Sequence, residues 1–352
     1  MTRSNVAYAT SAQAGERADL MRLAQRSDAQ GLRQLGCHLG ALAASGILVW
    51  SARGSLWLLP AMVGHGVLLA SLFAPLHESV HWTAFRTRRL NDVVAWACGA
   101  VLMLPPAYFR AFHFAHHRHT QDPDRDPELA RPKPRRLGEY LWHVSGLPYW
   151  RERLVTTVRH ACGRIDEPFI APRGRPAVAR EARLLLGLYL LAALASVAGS
   201  SAALLYLWIG PPLLGQPFLR LYLLAEHTGC PLVANMLENS RTTRSLAPIR
   251  RLAWNMPYHA EHHAYPALPF HALPAAHRLL KSRIAVQAPG YVAVHREIVA
   301  GLRAPRPSSG ETGEISRSGL RSGRIPGSPD RAQAASGRSP RHSSRNSRTR
   351  PL

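Results

Sequence analysis

The stretch SLWLLPAMVGHGVLLASLFAPLHESVH, residues 55–81, joins an apolar run to a pair of histidines. Residues 55–76 contain no acidic residue, lysine or arginine, and a run of about 20 apolar residues is enough to cross the hydrocarbon core of a bilayer. His77 and His81 are four residues apart, so a helix would place both imidazoles on one face, within reach of one metal ion. The same five residues match the HExxH pattern of zinc metalloproteases, in which Glu78 would be the general base. The motif alone therefore indicates two kinds of metal site.

Three further apolar runs occupy residues 35–50, 184–198 and 202–225. The last of them contains Pro211, Pro212 and Pro217, which predict a kinked or broken helix. A shorter stretch, 93–108, contains the pair Pro105-Pro106, and we predict that it lies in the membrane interface or re-enters. Together these runs predict an all-α integral membrane bundle with about four transmembrane helices and a cytosolic helical cap that carries the histidines.

Two more segments place histidines at helical spacing. They are HFAHHRH at 113–119 and HAEHH at 259–263, and both contain the pattern HxxHH. Neutral imidazoles are ligands for iron, zinc, copper or nickel, so the residue type alone does not identify the metal. The three boxes supply eight histidines, which is too many for one tetrahedral zinc and suits two metals with open positions. His227, at the end of the last apolar run, would be a ninth.

The arrangement of the boxes along the chain agrees with a single site. Two spans precede the first box and two separate the second from the third, so all three boxes lie on one side of the membrane if 93–108 does not cross it. Arginine is concentrated in the N-terminal segment, in 110–183 and in the tail, and the positive-inside rule then places the boxes and both termini in the cytoplasm.

The composition divides the chain into three parts. We predict a polar N-terminal segment (1–31), a membrane domain (32–302) and a disordered tail (303–352) rich in arginine and serine. The net charge of +23 comes almost entirely from arginine, since only Lys133 and Lys281 are lysines, and this bias indicates a bacterium with a GC-rich genome. The four cysteines form no CxxC pair, which excludes a disulfide scaffold and a zinc knuckle. We expect no nucleic-acid partner.

The boxes resemble those of the integral-membrane fatty acid desaturases, over about residues 55–280. The segments 120–127 (TQDPDRDP) and 255–258 (NMPY) are similar to bacterial members. The resemblance implies two irons, O2 as co-substrate and a fatty acyl or other lipid substrate from which hydrogen is removed. It implies the ligand set His77, His81, His113, His116, His117, His227, His259, His262 and His263. Glu78, His119, Asn255 and Glu261 are candidates for groups that orient these ligands.

The electrons must come from outside the sequence given, because it contains neither the His-Pro-Gly-Gly element of a cytochrome b5 domain nor a glycine-rich flavin or NAD fingerprint. We therefore expect an external donor of the ferredoxin or cytochrome b5 type. An acyl-lipid or acyl-CoA desaturase of the bacterial inner membrane is the leading hypothesis. A hydroxylase or ketolase of the same superfamily is the nearest alternative, and a membrane zinc protease using only His77, Glu78 and His81 is a remote one.

Overall fold

The computed structural model describes residues 18–303, all of them within one compact unit. Most of the predicted N-terminal segment and nearly all of the predicted tail lie outside these residues. The described part is mostly helical, which confirms the predicted fold class. The helices are α1 (18–23), α2 (Asp28–Ser51), α3 (Leu58–Ala70), α4 (Phe73–Val80), α5 (Arg88–Leu102), α6 (Pro106–His119), α7 (Leu137–Val144), α8 (Leu147–Ala161), α9 (Arg175–Ala198), α10 (Gly210–His227), α11 (Met236–Asn239), α12 (Ala247–Leu252), α13 (His259–Ala264), α14 (Leu273–Leu280) and α15 (Tyr291–Arg303).

Three segments are long and apolar enough to cross a membrane. They are α2, the continuous pair α3–α4 (Leu58–Val80), and α9 with the 3-10 turn before it (Pro172–Ala198). Large apolar side chains such as Ile47, Leu191 and Val197 are exposed on α2 and α9. Such surfaces are stable against lipid and costly against water, so the protein is an integral membrane protein. Three of the four predicted apolar runs therefore form helices able to span.

The fourth predicted run, 202–225, differs from the expectation of a fourth apolar span. It folds as a π-helical turn, Leu205–Ile209, that leads into α10, and it does not meet the same test of length and apolarity. Its prolines, Gln216 and Arg220 lower the apolarity of the segment. It packs closely against α3, where Gly66 and Gly215 meet: a Cβ atom on Gly215 would lie 2.0 Å from the carbonyl carbon of Gly66. One face of the run packs on α3, while Leu205, Ile209 and Phe218 are exposed.

Helices α5 and α6 form a bent pair. They meet at 96° across a break of three residues, in which Met103 adopts a left-handed conformation (φ 53°) and Pro105 precedes Pro106 at the start of α6. Together the two helices would pass as one broken span or one re-entrant loop. The break lies where the proline pair predicts that the 93–108 stretch cannot run straight through the membrane. This break turns α6, which carries the second histidine box, toward the first box.

A small polar cap completes the described structure. Strand β1 (Arg241–Thr243) pairs in parallel with β2 (Val286–Ala288), and Thr242 also makes a bridge to Tyr258, immediately before α13. Trp254 is fully buried and its ring lies 4.7 Å from that of Phe270. These contacts fix the short helix α13, which carries the third box, against the ends of α4, α6 and α10.

Candidate metal centre

The predicted ligands lie at the ends of four helices. His77 is on the last turn of α4 and His81 is the residue that follows this helix. The second box occupies the last two turns of α6, the third box forms most of α13, and His227 is the last residue of α10. Of the nine side chains only those of His81 and His117 belong to residues that are not fully buried. Four helix ends therefore deliver nine imidazoles to one place.

These imidazoles separate into two groups. In each group one ring nitrogen from every residue lies within 4.8 Å of the others, close enough for the set to converge on a single ion. The first group is His77, His81, His113, His117 and His262, and the second is His116, His227, His259 and His263.

Adjacent histidines of the HxxHH boxes belong to different groups. His117 and His262 are in the first group, whereas their neighbours His116 and His263 are in the second. Successive side chains on a helix point about 100° apart, because the helix has 3.6 residues per turn. One short helix can therefore direct two consecutive imidazoles at two centres. This geometry explains why the pattern HxxHH occurs twice.

The Nε2 atoms face each other at short range. In the first group His113 Nε2 lies 2.8 Å from His81 Nε2 and 3.0 Å from His117 Nε2, which is itself 3.1 Å from His262 Nε2. In the second group His227 Nε2 lies 3.2 Å from His116 Nε2 and 2.9 Å from His259 Nε2. A neutral imidazole has one N–H and one lone pair, so pairwise hydrogen bonds cannot satisfy so many converging nitrogens.

The outer nitrogens of the second group show which form the rings take. His227 Nδ1 donates to the carbonyl oxygen of Asn239 at 3.1 Å, and His116 Nδ1 donates to Asp126 Oδ1 at 2.9 Å. Thr120 gives its hydroxyl proton to the carbonyl oxygen of His116, so His263 Nδ1, at 3.2 Å, donates to Thr120 Oγ1. In the neutral form, each of these three rings presents a lone pair at Nε2. Lone pairs that point together repel each other unless a cation lies between them, so the residues present fit a metal.

Burial keeps most of these rings in the ligand form; at His116, where burial acts the same way, the charges of Glu128 and Asp126 outweigh it and raise the pKa. Removal from water, reinforced by the neighbouring imidazoles, lowers the pKa of His259, His262 and His263 well below the usual 6.5. Burial, and after it the charge of Arg110, lowers the pKa of His81 to about 3. Neutral imidazoles bind metals and imidazolium ions do not, so the site is prepared for metal at neutral pH.

Several groups that contact the rings were not predicted from the sequence. They are Asp126, Thr120 and the Asn239 carbonyl, together with Glu226, whose Oε1 lies 3.2 Å from His259 Nδ1, and Glu128, whose Oε2 lies 3.4 Å from His116 Nε2. Two weak signals existed: Asp126 ends an alternation of aspartates close after the second box, and Glu226 directly precedes His227. The Asn239 contact involves only the backbone, which leaves no trace in the side-chain pattern.

The two predicted acidic groups have other partners. Glu78 Oε2 accepts from the Thr83 hydroxyl at 2.8 Å and from the backbone N–H of Phe270 at 3.1 Å, and Glu78 Oε1 comes no closer than 3.9 Å to His77 Nδ1. The carboxylate of Glu261 contacts Thr242 and forms an ion pair with His277. Neither acid makes a hydrogen bond to a predicted ligand within the described residues, so the role of orienting the ligand rings stays a prediction. Both carboxylates are fully buried, and their hydrogen bonds connect elements of the fold.

The other two predicted orienting groups also lie away from the rings. His119 is half-buried beyond the end of the second box and belongs to neither group. Asn255, in a left-handed conformation (φ 59°), donates from its amide to the carbonyl oxygen of Phe270 at 3.1 Å. Neither side chain makes a hydrogen bond to a predicted ligand within residues 18–303. Asn255 fixes the turn that leads to the third box.

A cavity of about 1880 Å³ reaches the metal centre. His77, His113, His116 and His259 form part of its wall, next to the aromatic side chains of Phe73, Tyr108 and Phe109. The cavity therefore offers an apolar path beside imidazoles of both groups. Such a space can hold a long apolar chain next to the ions and limit the access of water.

Comparison with known proteins agrees with this geometry. The family model for fatty acid desaturases matches residues 51–295. This chain belongs to the fatty acid desaturase family. Members of this family are oxidoreductases of lipid metabolism, and the matched residues contain all three histidine boxes and His227. The expected family membership is confirmed.

One relative is the sphingolipid delta(4)-desaturase DES1 of Drosophila melanogaster. It is 27% identical over 225 residues, which are 61% of this chain. The match spans 64% of the length of that relative, slightly less than two thirds. The comparison therefore supports a desaturase-type function and leaves the substrate of this chain to be inferred.

Proposed function

We propose that this protein is an O2-dependent di-iron oxidoreductase that introduces a double bond into a fatty acyl chain. The observation that supports the proposal best is the separation of nine imidazoles into two groups beside a cavity that has aromatic residues in its wall. Five of them, from all three boxes, would hold one iron, and the four that include His227 would hold the other. When bound, the irons supply the oxidising power, drawn from O2, that breaking an unactivated alkyl C–H bond requires and that side chains lack.

The side chains of this protein prepare the site for that chemistry. Asp126, Thr120 and the Asn239 carbonyl hold the outer nitrogens of three rings, which fixes the ring orientation and directs the Nε2 lone pairs inward. Phe73, Tyr108 and Phe109 line the cavity beside the imidazoles. They would bind an alkyl chain and exclude water, so that the oxidant reacts with the chain and not with other molecules. Positioning and desolvation are thus the roles of the protein.

The partners and location are part of the same proposal. The electrons would come from a separate donor of the ferredoxin or cytochrome b5 type. The arginine-rich segments support a cytoplasmic position of the boxes and of both termini, and the arginine bias supports a bacterial inner membrane. The substrate would be a lipid, either an acyl-CoA or an acyl group on a lipid.

The zinc protease hypothesis loses its general base in the structure. A general base must reach a water molecule beside the metal. Glu78 is fully buried, and one of its oxygens is held by Thr83 and the Phe270 backbone, as described above. Protease activity would also leave the second and third boxes without a function. Membership of the desaturase family points away from it as well.

The test is expression in a bacterium with a defined lipid profile, followed by lipidomics. We expect acyl chains lighter by two hydrogen atoms with the wild type, and none with His116→Ala or His262→Ala, which remove one ligand from each group. His119→Ala is the matched control, since it lies on the same helix and outside both groups, and it should retain the product. Products heavier by one oxygen atom would instead assign the hydroxylase alternative. Purified protein without iron, or product formation by both alanine variants, would refute the proposal.

A further inference from the structure

A group of cations lies in the wall of the same cavity, on the side formed by α8 and α10. Arg153 and Arg220 both line it, and both guanidinium groups lie near the ring of Tyr149. The guanidinium carbon of Arg220 is 4.5 Å from the centre of that ring, and the guanidinium carbon of Arg153 is 5.9 Å from it. Tyr149 is itself fixed, because its hydroxyl donates to the carbonyl oxygen of Leu102 at 2.8 Å. The two guanidinium groups are therefore held at defined positions.

Few carboxylates contact the arginines of this group directly. Glu152 forms ion pairs with both Arg131 and Arg153, so one carboxylate serves two guanidinium groups. Arg220 forms no ion pair with any acidic residue in 18–303, and its polar partner is Gln216, whose amide oxygen can accept two of its hydrogen bonds at 3.0 and 3.1 Å. Glu128 and Glu226 lie in the same cavity wall, but neither forms an ion pair with Arg153 or Arg220 within the described residues.

The cationic side chains also retain donor capacity. Arg153 is only 8% exposed, and its Nε–H has no hydrogen-bond partner within the described residues. A buried guanidinium without a full set of partners is costly, because desolvation of its charge is not repaid. Guanidinium groups bind carboxylates and phosphates in preference to other anions, since their planar N–H donors match two oxygens at once. An anion of this class in the cavity would give Arg153 and Arg220 further hydrogen-bond partners.

The cavity connects these cations to the histidines. Arg220 precedes His227 by seven residues on α10, which corresponds to about 10 Å along the helix. The same wall contains the aromatic rings of Tyr108 and Phe109. A molecule that fits this space has an anionic end at the arginines and an apolar chain that passes the imidazoles.

We propose that Arg153 and Arg220 bind the carboxylate or phosphate group of an amphiphilic substrate whose chain extends to the metal centre. This inference rests on the proposed function for the identity of the chain, and it adds the chemical class of its polar end. Glu152 positions Arg153 by their ion pair, and the ring of Tyr149 lies near both guanidinium groups. The anion could come from a free fatty acid, a phospholipid or a phosphopantetheine-linked acyl group.

Direct binding tests the proposal without catalysis. Three radiolabelled probes with one chain length, palmitate, hexadecyl phosphate and hexadecanol, are bound to the full-length immobilised protein by scintillation proximity. The measurements are made with metal-free and with iron-loaded protein. We expect at least one anion to bind about tenfold to hundredfold more tightly than the alcohol, as hydrogen bonds to a charged group would give. Preference for palmitate identifies a carboxylate, and preference for hexadecyl phosphate identifies a phosphate monoester.

Variants assign the preference to the two arginines. Arg220→Gln and Arg153→Gln should each bring anion binding close to that of hexadecanol, and Arg220→Lys should keep part of the preference. Arg296→Gln, an exposed arginine on α15 outside the cavity wall, is the control and should bind like wild type. Thermal unfolding checks that each variant is folded, and the two glutamine variants provide independent tests.

Equal binding of anions and alcohol by wild type would overturn the proposal, because water in the cavity would then suffice for the arginines. A preference that survives both glutamine variants would overturn it too. If lipidomics shows desaturation while the probes show no preference, only the anion site is refuted. If the preference exists in a protein without iron or product, the desaturase proposal is refuted and the anion site stands.

Discussion

Asp126→Ala should weaken iron binding in the second group alone. Asp126 is buried and makes three hydrogen bonds: its Oδ1 accepts from His116 Nδ1 and from the Glu128 backbone N–H, both at 2.9 Å, and its Oδ2 accepts from the Gln121 backbone N–H at 2.9 Å. The carboxylate thus holds the turn after α6 and fixes the orientation of His116. Loss of such an outer partner typically lowers metal affinity by about 10-fold to 100-fold. That range corresponds to about 1.4 to 2.7 kcal/mol of binding free energy.

The assay is iron content at limiting free iron. Mass spectrometry of the metal should give close to two irons per chain for wild type and close to one for Asp126→Ala, and Mössbauer spectra should show that the remaining iron has one environment. Asp124→Asn is the matched control, because Asp124 belongs to the same loop and is exposed, away from the rings. Equal loss of both irons, or full iron content at every free iron concentration, would refute the assignment of Asp126 to one centre.

Three further predictions concern packing and metal. Gly215→Ala should lower the thermal midpoint and the iron content, because the new Cβ would overlap the Gly66 backbone of α3. Gly187→Ala on α9 is the control and should change neither, since a Cβ there would meet no atom within 4 Å. Circular dichroism melts of the two variants give the midpoints. Removing iron with a chelator should lower the thermal midpoint of wild type, because an ion that binds only the folded state stabilises that state. The midpoint of His262→Ala should fall by less, since this variant lacks one ligand. Glu261→Gln should lower the midpoint through loss of the ion pair with His277, and an unchanged midpoint would show that this buried pair does not stabilise α13.

Patterns that depend on neighbouring residues were predictable from the sequence. The spacing within each box is a property of one helix, so the sequence predicts that His113, His116 and His117 share an end of α6. Apolar runs likewise predict spans, because the thickness of the bilayer fixes the length of a helix that crosses it. The break at Pro105-Pro106 follows from the missing N–H of proline. The family resemblance, confirmed by comparison, added the expectation of two irons.

Properties that depend on distant residues required the tertiary structure. The segment 202–225 has the composition of a span, yet it folds as a π-helical turn and α10, packed on Gly66. Only the structure shows the cavity that its Arg220 lines. The acids beside the boxes, Glu78 and Glu261, are closer in sequence to the ligands than Asp126 is, yet their hydrogen bonds go to other groups of the fold. Sequence proximity fails here because hydrogen bonds join side chains by position in space.

The amino-acid sequence by itself determined that nine histidines would be available on helix ends at one side of a membrane bundle. The tertiary structure decided their division into two groups. His117 lies with His262, 145 residues further along the chain, and His116 lies with His263, 147 residues further along. The reason is physical. Helical periodicity acts over a few residues and is encoded locally, whereas the convergence of lone pairs on two points depends on how α4, α6, α10 and α13 pack together.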